Sequence, residues 1–314
     1  MDPNTARQQL VGACLCMFAA IAWGTTGTAA TFAPDVSPLA IGAAAMGIGG
    51  LLQAFIARRG IVAHRVGLRG QKALLVIGAL SVAVYPLAFY ASMRLAGVTI
   101  GTVISIGSAP LISALIENRF DARRLTSRWG VGAGIGLTGM LLLSMSEGAS
   151  PTAESRILLG ALLGLVAGGT YALYSWTSQR MMHRGLPSRV AMGATFGLGG
   201  LLLLPVLLLT GAPFADSSGN LLVGLYMAVV PMFLGYIAFG GGLARVPSST
   251  ATTITLFEPV VAAMLAIYIV GESLPARGWL GVGMIIVCLA WMTAPMPRRK
   301  PRAIDVSTVS LRSR

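Results

Sequence analysis

The fold of this chain is decided by residues 246–293, which read VPSSTATTITLFEPVVAAMLAIYIVGESLPARGWLGVGMIIVCLAWMT. A second version of this stretch occupies residues 97–142, displaced by 149 positions. Residues of the same type align in the two copies, in the pairs Pro110 and Pro259, Leu125 and Leu274, Arg128 and Arg277, Gly132 and Gly281, and Gly134 and Gly283. Because the repeat is half the chain long, it indicates an internal duplication rather than a solenoid.

The composition is that of a protein whose solvent is mainly lipid. Of its 314 residues, 55% are hydrophobic and only 11% are charged, and the mean hydropathy is +0.78. A soluble domain carries about 25% charged residues, so this chain has too few to cover a surface in water. The net charge of +13 does not indicate a nucleic-acid partner, because there is no soluble domain on which a basic stripe could form.

Ten apolar segments are long enough to cross a bilayer, which takes about 20 residues per helix. They are 10–32, 37–57, 73–93, 97–116, 129–146, 157–178, 189–209, 220–240, 247–270 and 277–294. The first could be a signal peptide cleaved near Ala30, but its apolar run continues past that point and has a counterpart in the second half. We therefore predict an all-α integral membrane protein with ten transmembrane helices.

The positions of the basic residues orient these helices, because cytoplasmic loops carry an excess of lysine and arginine. With the N-terminus in the cytoplasm, twenty of the 23 basic residues fall inside, and only Arg94, Arg156 and Arg277 fall outside. Five helices per half is an odd number, so the second half crosses the membrane in the opposite sense. The predicted units are a first repeat at 10–146, an inverted second repeat at 157–294 and a basic cytoplasmic tail at 295–314.

Several short motifs resemble those of one transporter family. Ala22-Trp23-Gly24, Thr170-Tyr171-Ala172 and Phe257-Glu258-Pro259 lie where the EamA-type members of the drug/metabolite transporter superfamily carry similar motifs. Gly271-Glu272-Ser273-Leu274 and the glycine-spaced helix after it also resemble the end of the second EamA repeat. The chain is most similar to the YddG-type aromatic amino acid exporters, and this resemblance implies a bacterial inner-membrane protein with ten helices.

Candidate site residues are the polar and aromatic side chains predicted near the middle of helices. Glu258 is the one ionisable residue well inside an apolar segment, and the adjacent Pro259 is expected to break its helix. Glu258 either binds a substrate ammonium or relays a proton, or it lies at a helix end and has a structural role. By contrast, Glu117 is interpreted as a solvated end of the fourth helix.

A tyrosine hydroxyl in lipid needs a hydrogen-bonding partner, so mid-helix aromatic residues predict an internal, partly wet cavity. The alternative for any single ring is packing between helices, and the hydroxyl residues could equally bond to their own helix backbone. The predicted cavity residues are Trp23, Tyr85, Tyr90, Tyr171, Tyr174, Trp176, Tyr236, Ser108, Thr255 and Glu258.

These features predict a secondary exporter of small amphipathic metabolites, with aromatic or apolar amino acids as the first candidates. Cationic drugs or a nucleotide-derived metabolite are the alternative cargo. ATP-driven transport is not indicated, because there is no phosphate-binding loop. An intramembrane enzyme would need a nucleophile with a base, or a metal cluster, and the sequence offers neither.

No catalytic residue, metal or cofactor is therefore predicted. The three cysteines, Cys14, Cys16 and Cys288, lie in apolar segments without a zinc or redox spacing and are interpreted as packing residues. The expected partners are a small-molecule substrate and the lipid bilayer, with no nucleic acid. The sequence carries no information on the oligomeric state.

Overall fold

A computed structural model describes residues 3–145, 154–270 and 273–293. The described residues form helices and no β-strand. The α-helices are α1 (Pro3–Gly24), α2 (Thr26–Ala30), α3 (Pro38–Ala63), α4 (Arg65–Gly70), α5 (Lys72–Ala96), α6 (Val98–Phe120), α7 (Ser127–Ser144), α8 (Glu154–His183), α9 (Ser188–Thr210), α10 (Ser218–Met227), α11 (Gly235–Leu243), α12 (Ser248–Ile254), α13 (Glu258–Leu265) and α14 (Ala276–Thr293). Segments with other hydrogen-bond spacings connect α10 to α11 at Ala228–Leu234 and α12 to α13 at Thr255–Phe257, and a further one continues α13 at Ala266–Val270.

The prediction of an all-helical membrane protein is confirmed. Seven helical stretches of the described chain are long and apolar enough to cross a membrane, and α14 is apolar but shorter. Each of the ten predicted segments lies on one of the helices or helical stretches above. The count of ten crossings stays a prediction. The predicted tail at 295–314 and the motif residues Gly271 and Glu272 lie outside the described residues.

Helices α3 and α9 pack closely because glycines remove side-chain bulk from their contact. The segment at 47–52 reads GIGGLL and the segment at 197–202 reads GLGGLL. A Cβ atom added to Gly50 would lie 2.2 Å from the carbonyl oxygen of Phe196, and one added to Gly200 would lie 2.6 Å from that of Gly47. The contact partners run in opposite order along the chain, so the two helices are antiparallel. Each glycine motif thus packs against the other copy of itself.

Helices α7 and α14 form a second antiparallel pair between corresponding segments of the two copies. A Cβ on Gly132 would lie 2.7 Å from the sulfur of Met292, and one on Gly281 would lie 2.7 Å from the backbone nitrogen of Leu143. Gly132 and Gly281 are counterparts in the two copies, 149 positions apart, and so are Leu143 and Met292. The two contacts are therefore equivalent. Close approach through small residues is the usual basis of helix association in lipid, where the hydrophobic effect does not drive it.

Two of the predicted apolar segments are interrupted near their middle. The first interruption is the π-helical bridge Ala228–Leu234, which contains Pro231 between α10 and α11. The second is the 3-10 turn Thr255–Phe257, which separates α12 from α13 just before Pro259. Proline lacks the N–H that an unbroken α-helix would use, so both interruptions leave main-chain carbonyl groups free for other partners.

We predict that Gly50→Ala destabilises the folded protein, because the new methyl group would overlap the backbone of α9. Overpacking of this kind costs about 1–3 kcal/mol. The measurement is the midpoint of thermal unfolding of the purified protein in detergent, which should fall.

Gly134→Ala is the matched control, since a Cβ at Gly134 has no neighbour within 4 Å. This variant should unfold at or above the wild-type midpoint. Equal midpoints for both variants would contradict the packing of α3 against α9.

Candidate functional site

A cavity lies among the helices of the described chain. Its walls come from α1, α3, α5, α8 and α13, and from the π-helical bridge that precedes α11. It encloses about 500 Å³ of empty space, counting the part that is open to solvent. Its lining is mostly aromatic and apolar, and is made by Trp23, Thr26, Gly42, Ala45, Met46, Tyr85, Pro86, Phe89, Tyr90, Tyr171, Met232, Tyr236 and Glu258. Sites for small molecules are commonly lined by apolar and aromatic side chains with a few polar groups, so this lining has the character of such a site.

Trp23 connects the cavity to the interrupted helix. Its indole Nε1 donates a hydrogen bond of 2.9 Å to the carbonyl oxygen of Pro231. From the other side, the side-chain amide of Gln53 lies 3.4 Å from the carbonyl oxygen of Met232. Two neighbouring helices therefore provide donors to carbonyl groups of the π-helical bridge, and one of these donors belongs to a residue of the cavity wall.

The tyrosine hydroxyls at the base of the cavity are paired with one another or with a threonine. The hydroxyls of Tyr171 and Thr255 are 2.8 Å apart, and those of Tyr174 and Tyr236 are also 2.8 Å apart. The ring of Trp23 packs against that of Tyr236 with centroids 4.6 Å apart. These contacts form a buried aromatic layer across the molecule, which closes the base of the cavity.

Three polar groups that line the cavity have no hydrogen-bonding partner within the described chain. They are the carboxylate of Glu258 and the hydroxyls of Tyr85 and Tyr90, which make no hydrogen bond or ion pair within the described chain. Glu258 is half-buried as the first residue of α13. Among the described residues that line the cavity, none is lysine, arginine or histidine. The site thus offers one carboxyl group, two hydroxyl groups and aromatic faces.

Six of the ten predicted site residues line this cavity: Trp23, Tyr85, Tyr90, Tyr171, Tyr236 and Glu258. Tyr174 and Thr255 lie behind it and hold the tyrosines of its wall. Ser108 is elsewhere, where α6 packs against Gly168 of α8. Trp176 is also elsewhere, and its indole donates a 2.6 Å hydrogen bond to Asp121 at the end of α6.

The interpretation of Glu117 as a solvated helix end is wrong. Glu117 is only 2% exposed and accepts hydrogen bonds from the hydroxyl and the backbone N–H of Ser249, at 2.5 and 3.3 Å. The sequence gives no local signal of this, because the two residues are 132 positions apart. Sequence reasoning also missed Phe89 of the lining, although its position next to Tyr90 could have identified it.

The described residues contain no group of three or more histidine, cysteine, aspartate or glutamate side chains that could hold a metal ion. The chemistry of the cavity is therefore that of its carboxylate, hydroxyl groups and rings. An arrangement of this kind is suited to binding a small molecule, and an all-helical, apolar fold around such a cavity is typical of a membrane transport protein.

Comparison with known proteins identifies the family. A model described as the EamA-like transporter family matches residues 10–145 and again residues 158–294. The uncharacterized transporter YwfM of Bacillus subtilis (strain 168) is 32% identical over 292 residues, which are 91% of this chain and 95% of that protein. This chain belongs to the EamA-like transporter family, within the drug/metabolite transporter superfamily, and is a multi-pass membrane transporter rather than an enzyme.

Two further relatives are more distant. The threonine/homoserine exporter RhtA of Escherichia coli (strain K12) is 27% identical over 220 residues, which are 70% of each chain. A solved crystal structure aligns with 89% of this chain and 95% of its own, with a TM-score of 0.74 and 19% identity. The similarity to this solved structure shows the fold alone.

We predict that Trp23→Phe lowers both the stability of the protein and its affinity for substrate. Phenylalanine keeps an aromatic ring but cannot donate to the carbonyl oxygen of Pro231, and an unpaired buried polar group costs about 1–3 kcal/mol. The measurements are the thermal unfolding midpoint in detergent and the dissociation constant for a transported amine or amino acid.

Trp279→Phe is the control, because Trp279 is 49% exposed on the outer surface of α14. Its unfolding midpoint and affinity should match those of the wild type. If the two variants behaved alike, the hydrogen bond from Trp23 would have no role in holding the bridge.

Proposed function

We propose that this protein is a secondary exporter of small amphipathic metabolites that carry an ammonium group. The first candidates are aromatic and apolar amino acids, moved across the bacterial inner membrane by alternating access. The observation that carries the proposal is the unpaired carboxylate of Glu258 in an aromatic cavity whose described lining has no basic side chain.

The chemistry of the lining favours a cation with an apolar body. The carboxylate of Glu258 attracts an ammonium group, and charge-assisted hydrogen bonds are about twice as strong as neutral ones. The faces of Trp23, Tyr85 and Tyr171 attract the same positive charge and stack with flat or apolar groups. A substrate with an ammonium group and an aromatic or aliphatic side chain would use all of these features together.

The substrate carboxylate of an amino acid would need hydrogen-bond donors as well. The hydroxyls of Tyr85 and Tyr90 have no partner in the described chain, and they line the cavity together with Glu258. They are suited to donate to a carboxylate while Glu258 holds the ammonium group. The exporter RhtA is named for threonine and homoserine, which carry the same two groups, and this supports amino acids as the substrate class.

The architecture that we propose is ten transmembrane helices in two inverted repeats of five. The family model matches the chain twice, over ranges close to the predicted repeats. The antiparallel packing of α3 against α9, and of α7 against α14, also supports the inversion, because each pair brings together corresponding segments of the two copies. Both termini would then lie in the cytoplasm, with twenty of the 23 basic residues on that side.

In this topology the structure corresponds to an outward-facing state. The lining residues of α3, such as Gly42 and Met46, lie in its first half, and those of α5, such as Tyr85 and Tyr90, lie in its second half. Both halves point away from the cytoplasm. The aromatic layer around Tyr174 and Tyr236 closes the cavity on the cytoplasmic side.

A second candidate function is export of cationic amphiphiles, such as drugs. It is favoured by the absence of a basic side chain from the described lining, since a cation without a carboxylate needs no such partner. A nucleotide-derived cargo fits less well, because its phosphate would bring a second negative charge next to Glu258. The proposal therefore ranks amino acids first, cationic amphiphiles second and phosphorylated compounds last.

We predict that the purified protein, reconstituted in liposomes, exchanges labelled phenylalanine by counterflow. Phenethylamine and phenylalanine should compete with the label, whereas 3-phenylpropionate, which lacks the ammonium group, should not. This order follows from the negative charge of Glu258. The measurement is the rate of label uptake with each compound in excess.

The outcome separates the candidates. Counterflow of phenethylamine without counterflow of any amino acid would favour cationic amphiphiles. Competition by 3-phenylpropionate equal to that by phenylalanine would contradict recognition through the ammonium group.

We predict that Glu258→Gln raises the KM for phenylalanine at least tenfold, because a hydrogen bond to a charged group contributes about 1.5–3 kcal/mol and 1.4 kcal/mol is tenfold. In the wild type, lowering the pH should weaken substrate binding, since protonation removes the negative charge. The glutamine variant should lack this pH dependence. The measurement is the initial rate of transport against substrate concentration at several pH values.

The matched control is Asp216→Asn, because Asp216 is an exposed carboxylate outside the cavity. It should keep the wild-type KM and pH profile. An unchanged KM and pH profile in Glu258→Gln would assign that residue a structural role only.

A further inference from the structure

A buried polar cluster joins α6, α8 and α12 at what is the cytoplasmic end of these helices in the proposed topology. We call it the inner cluster, and its members are Ser113, Glu117, Gln179, Ser248 and Ser249. The hydroxyl oxygens of Ser113 and Ser248 are 2.6 Å apart, and the hydroxyl of Ser249 donates to Glu117 at 2.5 Å. All five side chains are buried. The first turn of α12 is thus bonded to α6 at two successive residues.

Gln179 of α8 holds the chain that leads into α12. Its amide nitrogen donates to the carbonyl oxygens of Leu243 and Val246, at 2.7 and 2.6 Å, and its amide oxygen accepts from the backbone N–H of Ser248 at 3.1 Å. One side chain therefore occupies three main-chain groups around the turn between α11 and α12. The start of α12 is fixed from two sides, by α6 and by α8.

The carboxyl group of the inner cluster is held by neutral donors. Glu117 makes no ion pair within the described chain, and its recorded partners are a hydroxyl and a backbone N–H of one residue. A buried carboxylate costs free energy unless its environment satisfies it. Water can replace hydroxyl and amide donors when the cluster opens, so these bonds can form and break with a small net change in free energy.

The cluster occurs in one copy of the repeat only. The displacement of 149 positions takes Ser113 to Ala262 and Glu117 to Ala266, neither of which has a polar side chain. The converse holds at the cavity, where Glu258 has Ala109 as its counterpart. The polar contact at the start of α12 is therefore not a general feature of the repeat, and its sequence counterpart has no carboxylate to form it.

A short covalent path connects the cluster to the cavity. The helix α12 continues into the 3-10 turn that carries Thr255, whose hydroxyl is 2.8 Å from that of Tyr171 in the cavity wall. Glu258 follows directly as the first residue of α13. A substrate that moves Tyr171 or Glu258 would act on the end of α12, which is six residues from Ser248.

We infer that α12 is the inner gate of the transporter and that Glu117 is the positioning residue that holds it closed through Ser249. Opening the cytoplasmic side separates the start of α12 from α6 and α8, breaks the inner cluster and gives the substrate access to the cavity from that side. The gate rests on the proposed transport function, but it assigns a role to residues that do not touch the substrate.

The first test locks the gate with a disulfide. Ser113→Cys and Ser248→Cys are combined in a chain whose three natural cysteines are replaced by alanine. Because the two hydroxyl oxygens are 2.6 Å apart, the sulfur atoms can reach the bond length of about 2 Å. Oxidation should reduce transport at least tenfold in proteoliposomes, and dithiothreitol should restore it.

The two single-cysteine variants are the controls, and oxidation should leave their transport unchanged. Full transport by protein in which the disulfide is shown to be complete would overturn the gate. Substrate binding to the locked protein from the open side should persist. Absence of substrate binding in the reduced protein as well would instead argue against the proposed function, so the two failures can be told apart.

The second test measures access to the buried face of α12. Thr252→Cys places a thiol at a side chain that is fully buried, and inside-out vesicles expose its cytoplasmic side to a membrane-impermeant maleimide. Adding Glu117→Ala should increase labelling at least fivefold, because the start of α12 is released. Glu117→Gln should increase it less, since its amide oxygen still accepts from Ser249. Equal, low labelling in all three proteins would overturn the role of Glu117.

Discussion

The structure depends on one constraint: inside a bilayer, every main-chain polar group needs a partner within the protein. An unbroken helix meets this requirement alone, but the π-helical bridge at Ala228–Leu234 and the turn at Thr255–Phe257 do not. Side chains from other helices complete the bonding at the bridge, where Trp23 donates to Pro231 and Gln53 to Met232. The cavity is built around these interrupted helices, so its shape depends on bonds between helices and not on apolar packing alone.

Glu258 and Glu117 carry the same carboxyl group in two different environments. Glu258 faces a cavity and has no partner in the described chain, so its carboxyl group is available to a ligand. Glu117 is enclosed by α12 and its carboxylate is occupied by Ser249. Each has alanine as its counterpart in the other copy. At both positions one copy has a carboxyl group where the other has a methyl group.

Much of the architecture follows from the sequence because it depends on local pattern. Apolar length placed the helices, and Pro259 indicated one of the two segments that are interrupted. Glu258 could be identified as a cavity residue because an ionisable side chain within an apolar segment is rare. The burial of Glu117 could not, because the hydroxyl that satisfies it comes from a residue 132 positions away.

The direction in which an aromatic ring points is also not visible in the sequence. Mid-helix position predicts cavity-facing rings, and Tyr85, Tyr171 and Tyr236 lie in the cavity lining. Position along the chain does not say which way a ring points around its helix. Trp176, only two residues after Tyr174, points to Asp121 and lies outside the cavity. The direction of a side chain is decided by the neighbouring helices, and a single sequence does not contain their arrangement.

The glycine contact between α3 and α9 has a consequence for how the molecule can move. Gly47 meets Gly200, and Gly50 meets Gly197, so each contact is related to the other by exchanging the two copies. This is the geometry of an isologous dimer interface, formed here within one chain. Points on a twofold axis stay in place when the two sides exchange roles. We therefore expect the glycine contact between α3 and α9 to stay rigid while the two ends of the transporter open and close in turn.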